Sequence, residues 1–269
     1  MTEHAHPADD HLHFTGERLI LEPGTAWFWE GRAAEHITRY LFAADRIGGC
    51  RVLDAACGTG YGSALLARTA GSVVGVDIDP TTVEFASKRW YSPSTSFQVA
   101  DVTQLPFADG TFDAIVWLEP IEHVADPDVV LDELRRVLVP GGLLIASTPS
   151  RDVYNWVSFP DGDGNPFHPS ELNPDEFTSR LERGYAIDGM YGQIHVPGYG
   201  AGSDRPRAGE APSRARQLAK QLIKRTTSSL LSHPRVAARA VRLLRPGFVP
   251  QPLDERPWKY VVAVARTLR

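Results

Sequence analysis

The sequence of 269 residues has few cysteines and no long apolar run, and both shortages narrow the class of protein. Its two cysteines, Cys50 and Cys57, are too few for a disulfide framework, which favours a reducing cytoplasm. No apolar run approaches the roughly 18 residues that a transmembrane helix needs. The first residues also lack the apolar stretch of a signal peptide. We therefore expect a disordered tail over residues 1–15 and a soluble, cytoplasmic protein.

The charge balance disfavours a general nucleic-acid binder, because the formal net charge is −5. Residues 204–245 depart from this average, with eleven Lys and Arg against two acids. Their periodicity predicts two amphipathic helices, at 217–231 and 236–244. The basic faces of these helices are either simply solvated or form a surface for an anionic group, such as a diphosphate or a membrane headgroup. This segment has no aromatic residue on which a base could stack, so nucleic acid is not the expected partner.

Short apolar segments alternate with amphipathic ones over residues 51–148. The amphipathic segments predict helices at Tyr61–Ala70, at Pro80–Trp90 after the N-cap Asp79, and at Pro127–Leu138 after the N-cap Asp126. The Pro140-Gly141-Gly142 segment is expected to stop the last of these helices. Apolar strands separated by helices are typical of a parallel sheet that is covered on both faces. Further along, 151–170 reads as a long loop, and Asn173 with Glu176 predicts a capping box at the start of a helix. The predicted strands are Arg51–Ala55, Ser72–Asp77, Ser96–Val99, Thr111–Leu118, Leu143–Thr148, Tyr185–His195 and Trp258–Thr267.

A glycine-rich loop follows the first predicted strand, in the segment VLDAACGTGYG (52–62). Glycines let the backbone pass close to a ligand, but a dinucleotide fingerprint would read G-x-G-x-x-G. Here Gly62 comes one residue early, and Ser63 occupies the expected place. Asp54 would also repel a pyrophosphate and attract a ligand that carries ammonium and sulfonium groups. The loop therefore favours an amino-acid-bearing nucleoside over the dinucleotide of an oxidoreductase.

Two more acids follow the next two strands. Asp77 stands seventeen residues after Gly60, where a carboxylate can accept hydrogen bonds from both ribose hydroxyls. Asp101 can accept from an adenine amino group while the Val102 N–H donates to a ring nitrogen, although a plain turn aspartate is the alternative. Three acids after three successive parallel strands share the carboxyl edge, where such sheets bind ligands.

These segments resemble the class I S-adenosylmethionine (SAM)-dependent methyltransferases, especially the ubiquinone-methyltransferase-like subgroup. The similarity covers about residues 50–150, through VLDAACGTGYG, VVGVDID, VADVTQLPFADGTFDAIVWLEPIEHVADP and LRRVLVPGGLLIAS. The flanks 28–43 and 165–172 are similar to methyltransferases of sugar and polysaccharide biosynthesis. The resemblance implies which residues bind SAM. The methionyl end would be held by Asp54, Ala55, Gly58 and Gly60, the ribose and adenine would lie between Asp77 and Ile78, and the adenine would meet Asp101 and Val102. The path from the methionyl end to the acceptor would be lined by Leu118 and Glu119.

The resemblance also implies a fold: a Rossmann-like α/β protein with a seven-stranded, mostly parallel sheet whose last strand is antiparallel. We expect an N-terminal helical lid at 16–47, a SAM-binding core at 48–196, a basic helical insertion at 197–257 and the final core strand at 258–269. The aromatic residues Trp27, Phe28, Trp29 and Tyr40 either pack in the core or close over the cofactor. In the second case Arg39 or Tyr40 would lie near the SAM carboxylate.

Methyl transfer from a sulfonium is an in-line displacement, so the protein chiefly positions the acceptor. A hydroxyl acceptor also needs a general base, for which the candidates are Glu119, Glu122, His123 and His168. Pro120 departs from the family, which usually has a small or hydroxyl residue there. We do not expect a catalytic metal, because the acids are assigned to the cofactor and no spare carboxylate cluster has suitable spacing.

The leading interpretation is O-methylation of a sugar, nucleotide sugar or glycosylated secondary metabolite, with S-adenosylhomocysteine as the second product. A quinone, lipid or amine acceptor is the first alternative. A nucleic-acid methyltransferase is another, although residues 119–122 (EPIE) are not the motif of amino-methylating enzymes. A non-catalytic SAM-binding module is the last. The sequence does not indicate the oligomeric state.

Overall fold

A computed structural model describes residues 32–158, 168, 170–195, 250–255 and 257–268. The predicted tail, the aromatic residues 27–29 and the basic segment 204–245 with its two predicted helices lie outside the described residues. None of the described helices is long and apolar enough to cross a membrane.

Helices and strands alternate along the described residues, as the apolar pattern predicts. The helices are α1 (Arg32–Ala44), α2 (Tyr61–Leu66), α3 (Pro80–Trp90), a 3₁₀ turn (Ile121–His123), α4 (Pro127–Val137), α5 (Arg151–Ser158) and α6 (Pro174–Leu181). The strands are β1 (Arg51–Ala55), β2 (Ser72–Asp77), β3 (Thr95–Val99), β4 (Phe112–Leu118), β5 (Leu138–Pro149), β6 (Tyr185–His195), β7 (Gln251–Pro252) and β8 (Trp258–Thr267).

The strands form one sheet in the order β3-β2-β1-β4-β5-β8-β6-β7. Strands β1 to β5 pair in parallel, whereas β8 runs antiparallel to β5 and to β6. This confirms the Rossmann-like architecture with an antiparallel last strand. The predicted count of seven strands is wrong, because β7 adds an eighth at the edge. Two residues are too short to show the alternation by which a strand is recognised in sequence.

Both faces of the sheet are covered, because alternate residues of each strand point to opposite sides. Val52 packs with Leu41 of α1 and Leu65 of α2 on one face. Its neighbour Leu53 belongs to the cluster of the other face, with Leu134 of α4. This double burial explains why the strands are apolar throughout, and it leaves their carboxyl ends as the polar edge of the fold.

Several local expectations need correction. The helix after the glycine loop ends at Leu66 instead of Ala70, and residues 67–70 form turns. The expected loop at 151–170 begins with α5, whose residues Val153 and Tyr154 are buried. The Pro and Gly residues that suggested a loop lie at 160–166, beyond this helix.

The Pro140-Gly141-Gly142 segment does not separate α4 from a strand. The helix ends at Val137, and β5 begins at once with Leu138, which pairs with Phe112. The next pair in the register is Ala114 with Leu143, so the intervening residues bulge out of the ladder. Gly141 has a φ of +72°, a conformation that explains glycine at this position.

Candidate functional site

The glycine loop joins β1 to α2 at the carboxyl edge of the sheet. Gly58 and Gly60 have positive φ values of +53° and +79°. A Cβ on Gly60 would lie 2.7 Å from the Cβ of Ala86, so glycine lets the loop pack against α3. Among the described residues, no heavy atom beyond its chain neighbours lies within 4 Å of the place where a Cβ on Gly58 would stand. The loop is therefore packed on one side and leaves its backbone open on the other, where a ligand can approach closely.

Asp54 lies beside this loop with its carboxylate completely buried. Its Oδ1 accepts a hydrogen bond from the Tyr40 hydroxyl at 3.1 Å, and its Oδ2 accepts from the Ser63 hydroxyl at 2.6 Å. Burial raises the pKa of Asp54 to about 7, although these two hydrogen bonds lower it, and nearby Asp77 adds to the rise. No Lys, Arg or His of the described part of the chain forms an ion pair with it. The ligand-free carboxyl is thus poised to ionise when a positive charge arrives.

Asp77, at the end of β2, ties the glycine loop to the sheet. Its Oδ2 accepts from the Gly58 N–H at 3.0 Å, and its Oδ1 accepts from the Asp79 N–H at 3.1 Å. Asp79 caps α3 by accepting from the Thr81 N–H, as predicted. The next residue, Ile78, leaves 66% of its surface exposed. The edge of the sheet therefore presents a fixed carboxylate beside an apolar surface, a combination that suits a ribose and a planar base.

Asp101 follows β3 and is exposed. Its Oδ1 accepts from both the backbone N–H and the hydroxyl of Thr103, at 2.8 and 2.7 Å, and these bonds lower the pKa of Asp101. This is the turn aspartate that the sequence left open as the alternative. The turn accounts for Asp101 without a ligand, so its contact with adenine, and that of Val102, stays a prediction.

Helix α1 packs against the glycine loop through Tyr40. The ring is buried, meets Tyr61 edge-on at 5.6 Å between centroids, and places its hydroxyl on Asp54. A Cβ on Gly62 would lie 2.1 Å from the Tyr40 ring, so α1 and α2 can approach this closely only with glycine there. Tyr40 therefore positions the Asp54 carboxylate and holds α1 against α2. Leu118, at the end of β4, lies in the same buried cluster.

Arg39, one residue earlier on α1, is fully buried and forms an ion pair with Glu119. It also donates to the side-chain oxygen of Gln193 on β6 and lies 4.4 Å above the Tyr260 ring of β8. His36 makes a second ion pair with Glu119, at 2.9 Å between Nε2 and Oε2. Helix α1 is thus fixed to the sheet by buried charges as well as by apolar packing.

Glu119 directly follows β4 and has a positive φ of +67°. Its backbone N–H donates to the Ser147 carbonyl of β5 at 3.1 Å, which holds this turn against the sheet. Burial would raise the pKa of Glu119, but Arg39 and His36 together bring it well below its usual range. A carboxylate held in this way is a weak base, so the environment argues against Glu119 as the proton acceptor.

Glu122 lies in the 3₁₀ turn after β4 and is only 1% exposed. Within the described residues its Oε2 has no hydrogen-bond partner. Burial raises the pKa of Glu122 well above its usual range, and the nearby charge of Glu119 raises it further. The Glu122 carbonyl accepts from the Ser170 N–H at 3.2 Å, and this contact brings the segment around His168 next to the turn.

His123 and His168 meet edge to face, with ring centroids 4.7 Å apart. His168 Nδ1 lies 2.7 Å from Oε1 of Glu171, and the Tyr154 ring of α5 lies 5.7 Å away on another side. One potential ligand atom each of Glu122, His123 and His168 lies within 4.8 Å of the other two. Three of the four predicted catalytic candidates therefore lie close together, whereas the fourth, Glu119, forms an ion pair with Arg39.

The sequence reasoning missed the partners of these residues. Ser63 appeared only as a departure from a glycine pattern, yet its hydroxyl binds Asp54. The spacing of His168 and Glu171 (H-x-x-E) was a signal that the two side chains could pair. Nothing local indicated that Gln193 and Tyr260 would surround Arg39, because these residues come from distant strands.

Comparisons with known proteins identify the family of the chain. A family model described as a methyltransferase domain matches residues 53–146. A probable SAM-dependent methyltransferase of Mycolicibacterium smegmatis is 37% identical over 195 residues, which cover 70% of each chain. One from Mycobacterium tuberculosis is 38% identical over 190 residues, covering 69% of this chain and 66% of the relative. The structure of geranyl diphosphate methyltransferase in complex with SAM superposes on this chain with a TM-score of 0.54 and 19% sequence identity. The superposition covers 92% of this chain and 93% of that one, so the two proteins share a fold.

Proposed function

Because the chain belongs to the class I SAM-dependent methyltransferases, we propose that it methylates a hydroxyl of a sugar, nucleotide sugar or glycosylated metabolite. The enzyme class and the cofactor follow from the relatives, whereas the acceptor is inferred from the site. The observation that carries this inference is the cluster of Glu122, His123 and His168 beyond the carboxyl end of β4.

The described residues fit SAM. The buried Asp54 has only hydroxyl donors as hydrogen-bond partners and a raised pKa, so a ligand with a positive charge would stabilise its ionised form. When bound, SAM supplies a methyl group on a sulfonium, a good leaving group. We assign Asp54 to the methionyl end of the cofactor, with Tyr40 as the residue that positions its carboxylate.

The backbone of the glycine loop, at Ala55, Gly58 and Gly60, would surround the same end of the cofactor. Asp77 accepts hydrogen bonds from two backbone N–H groups. Because each carboxylate oxygen can accept more than one hydrogen bond, we assign Asp77 to the ribose hydroxyls as well. The exposed Ile78 would be covered by the adenine ring, which would remove an apolar side chain from water.

The acceptor side argues for a hydroxyl. An alkyl hydroxyl has a pKa far above neutral and is a poor nucleophile until its proton is removed, whereas a neutral amine can attack the methyl carbon before it loses a proton. A buried carboxyl and two imidazoles come together in the segments after β4 and before α6. We assign Leu118, at the end of β4, to the path from the cofactor towards them. Tyr154 lies beside His168, and Tyr260 lies 6.0 Å from Tyr154, so buried aromatic rings border this cluster.

The test is to incubate the enzyme with methyl-labelled SAM and a matched panel of glycosides, nucleotide sugars, quinols and amines. We expect label on a saccharide oxygen, located by mass spectrometry. Two variants are compared with the wild type. His168→Ala should retain SAM binding and lose methyl transfer. Asp188→Asn is the control, because Asp188 is an exposed carboxylate that pairs with Arg266, and this variant should behave as wild type. Label on a quinone carbon or an amine nitrogen, with none on any saccharide, would refute the acceptor assignment.

A further inference from the structure

We propose that Glu122, His123 and His168 bind a divalent transition-metal ion. The three side chains come from the 3₁₀ turn after β4 and from the segment before α6. Their potential ligand atoms lie within 4.8 Å of one another. Tetrahedral ligands about 2.1 Å from a common ion lie about 3.4 Å apart, so a pair at the widest separation would have to close by about 1.4 Å. The exposed side chain of His123 can supply that movement.

The second observation is the state of Glu122. Its side chain is only 1% exposed, and in the described part of the chain Oε2 has no hydrogen-bond partner. A buried carboxyl oxygen without a partner costs free energy unless some group compensates for it. A cation next to two imidazoles would do so, since it converts the unsatisfied oxygen into a ligand.

The third observation is the pairing of His168 with Glu171. Their side chains are 6% and 7% exposed, and Nδ1 of the imidazole is 2.7 Å from Oε1 of the carboxylate. Histidines that bind metals commonly give their other ring nitrogen to a carboxylate, which fixes the tautomer and the ring orientation. With Nδ1 engaged by Glu171, Nε2 of His168 is the nitrogen that can face an ion. Glu171 is therefore a positioning residue.

The donor set favours one class of metal. Mg²⁺ and Ca²⁺ prefer sites made of oxygen ligands, whereas imidazoles together with a carboxylate suit Mn²⁺, Co²⁺ or Zn²⁺. Three protein ligands leave coordination positions open, as in catalytic metal sites. The expectation from sequence that no metal binds considered carboxylates in local runs, and it could not include His168, which is 45 residues from His123.

The ion would explain how the cluster activates the acceptor, and this part of the inference rests on the proposed function. A metal ion supplies a Lewis acid that lowers the pKa of a bound hydroxyl. The hydroxyl proton then passes to water, and the oxygen forms a bond to the methyl carbon. The electron pair of the broken carbon–sulfur bond stays on sulfur, which leaves S-adenosylhomocysteine.

The experiment measures Mn²⁺ binding to the full-length chain by the loss of the free-ion signal in electron paramagnetic resonance. His4, His6, His11 and His13 could bind metal adventitiously, so all measurements use a background in which these four are alanine. We expect one Mn²⁺ per chain. Affinity should fall at least about tenfold in Glu122→Gln and in His168→Ala, about tenfold in Glu171→Gln, and not at all in Asp188→Asn. SAM binding and thermal unfolding of each variant report whether it is folded.

Absence of stoichiometric Mn²⁺ binding, or equal affinity in the folded His168→Ala protein, would overturn the metal site. A chelator that leaves saccharide methylation unchanged would overturn its catalytic role. The two proposals fail separately, because Mn²⁺ binding is measured without an acceptor. Binding that is lost in His168→Ala supports the metal site even if no saccharide is methylated, and methylation without Mn²⁺ binding supports only the proposed function.

Discussion

The affinity for SAM should depend on pH through Asp54. In the ligand-free protein burial raises the pKa of this carboxyl to about 7. The proposed complex needs the ionised carboxylate, because SAM carries positive charge at its methionyl end. Below pH 7 most Asp54 is protonated, and binding must release that proton. The apparent Kd of SAM should therefore rise as the pH falls, by up to tenfold for each pH unit below the pKa.

The magnitude follows from the pKa alone. With a pKa of about 7, roughly one in eleven carboxyls is ionised at pH 6 and about ten in eleven at pH 8, so the contribution of Asp54 makes binding about tenfold weaker at pH 6 than at pH 8. The assay is isothermal titration calorimetry at several pH values in buffers of different ionisation enthalpy. Release of nearly one proton per SAM is expected at pH 6 and of about 0.1 proton at pH 8.

The amino group of SAM also titrates in this region, so Asp54→Asn serves as the control in the same buffers. This variant should bind SAM more weakly, with the proton release of Asp54 absent. The reasoning would be refuted if Asp54→Asn and the wild type released the same number of protons at pH 6.

The raised pKa of Asp54 also affects the stability of the fold, which should decrease as the pH rises. A carboxyl whose pKa is higher in the folded state than its ordinary 3.8 binds its proton more tightly in that state. The free energy of unfolding therefore falls as pH rises from about 4 to 7, by an amount on the order of 4 kcal/mol for a shift to about 7. SAM should offset this cost, so the gain in Tm on adding SAM should be larger at pH 8 than at pH 5.

Three further outcomes are expected. Asp77→Ala should raise the Kd of SAM at least about 100-fold, because it removes both the proposed ribose contacts and the hydrogen bond that anchors Gly58. Asp101→Ala, at an exposed position, should raise the Kd about tenfold or less. Equal effects of the two substitutions in titration calorimetry would contradict the ribose assignment. His123→Ala should lower kcat about 100-fold and leave SAM affinity nearly unchanged, and full turnover would exclude it from acceptor activation. Gly62→Ala should lower the thermal stability by about 1–3 kcal/mol, since its methyl would overlap the Tyr40 ring, and an unchanged Tm would show that α1 does not pack there as described.

The sequence determined the elements that depend on neighbouring residues. Alternation of apolar and amphipathic segments predicted β1 to β5 and the helices between them, and Asp79, Asp126 and Asn173 marked helix starts that the structure confirms. The positions of Asp54, Asp77 and Asp101 followed from a general property of parallel sheets, whose carboxyl ends share one edge. Local pattern and one rule of topology therefore indicated the parallel part of the sheet and the three acids at its carboxyl edge, whereas the antiparallel last strand was implied by the resemblance to the family.

The tertiary structure decided how these residues are paired. The bond from Tyr40 to Asp54, the burial of Arg39 against Glu119, and the approach of His168 to Glu122 join segments far apart in the chain. Such contacts depend on how the helices pack on the sheet, and the periodicity of apolar residues in the sequence does not predict that packing. Burial then sets the charge states, since the same carboxyl group has a lowered pKa in Glu119 beside a guanidinium and a raised pKa in Glu122.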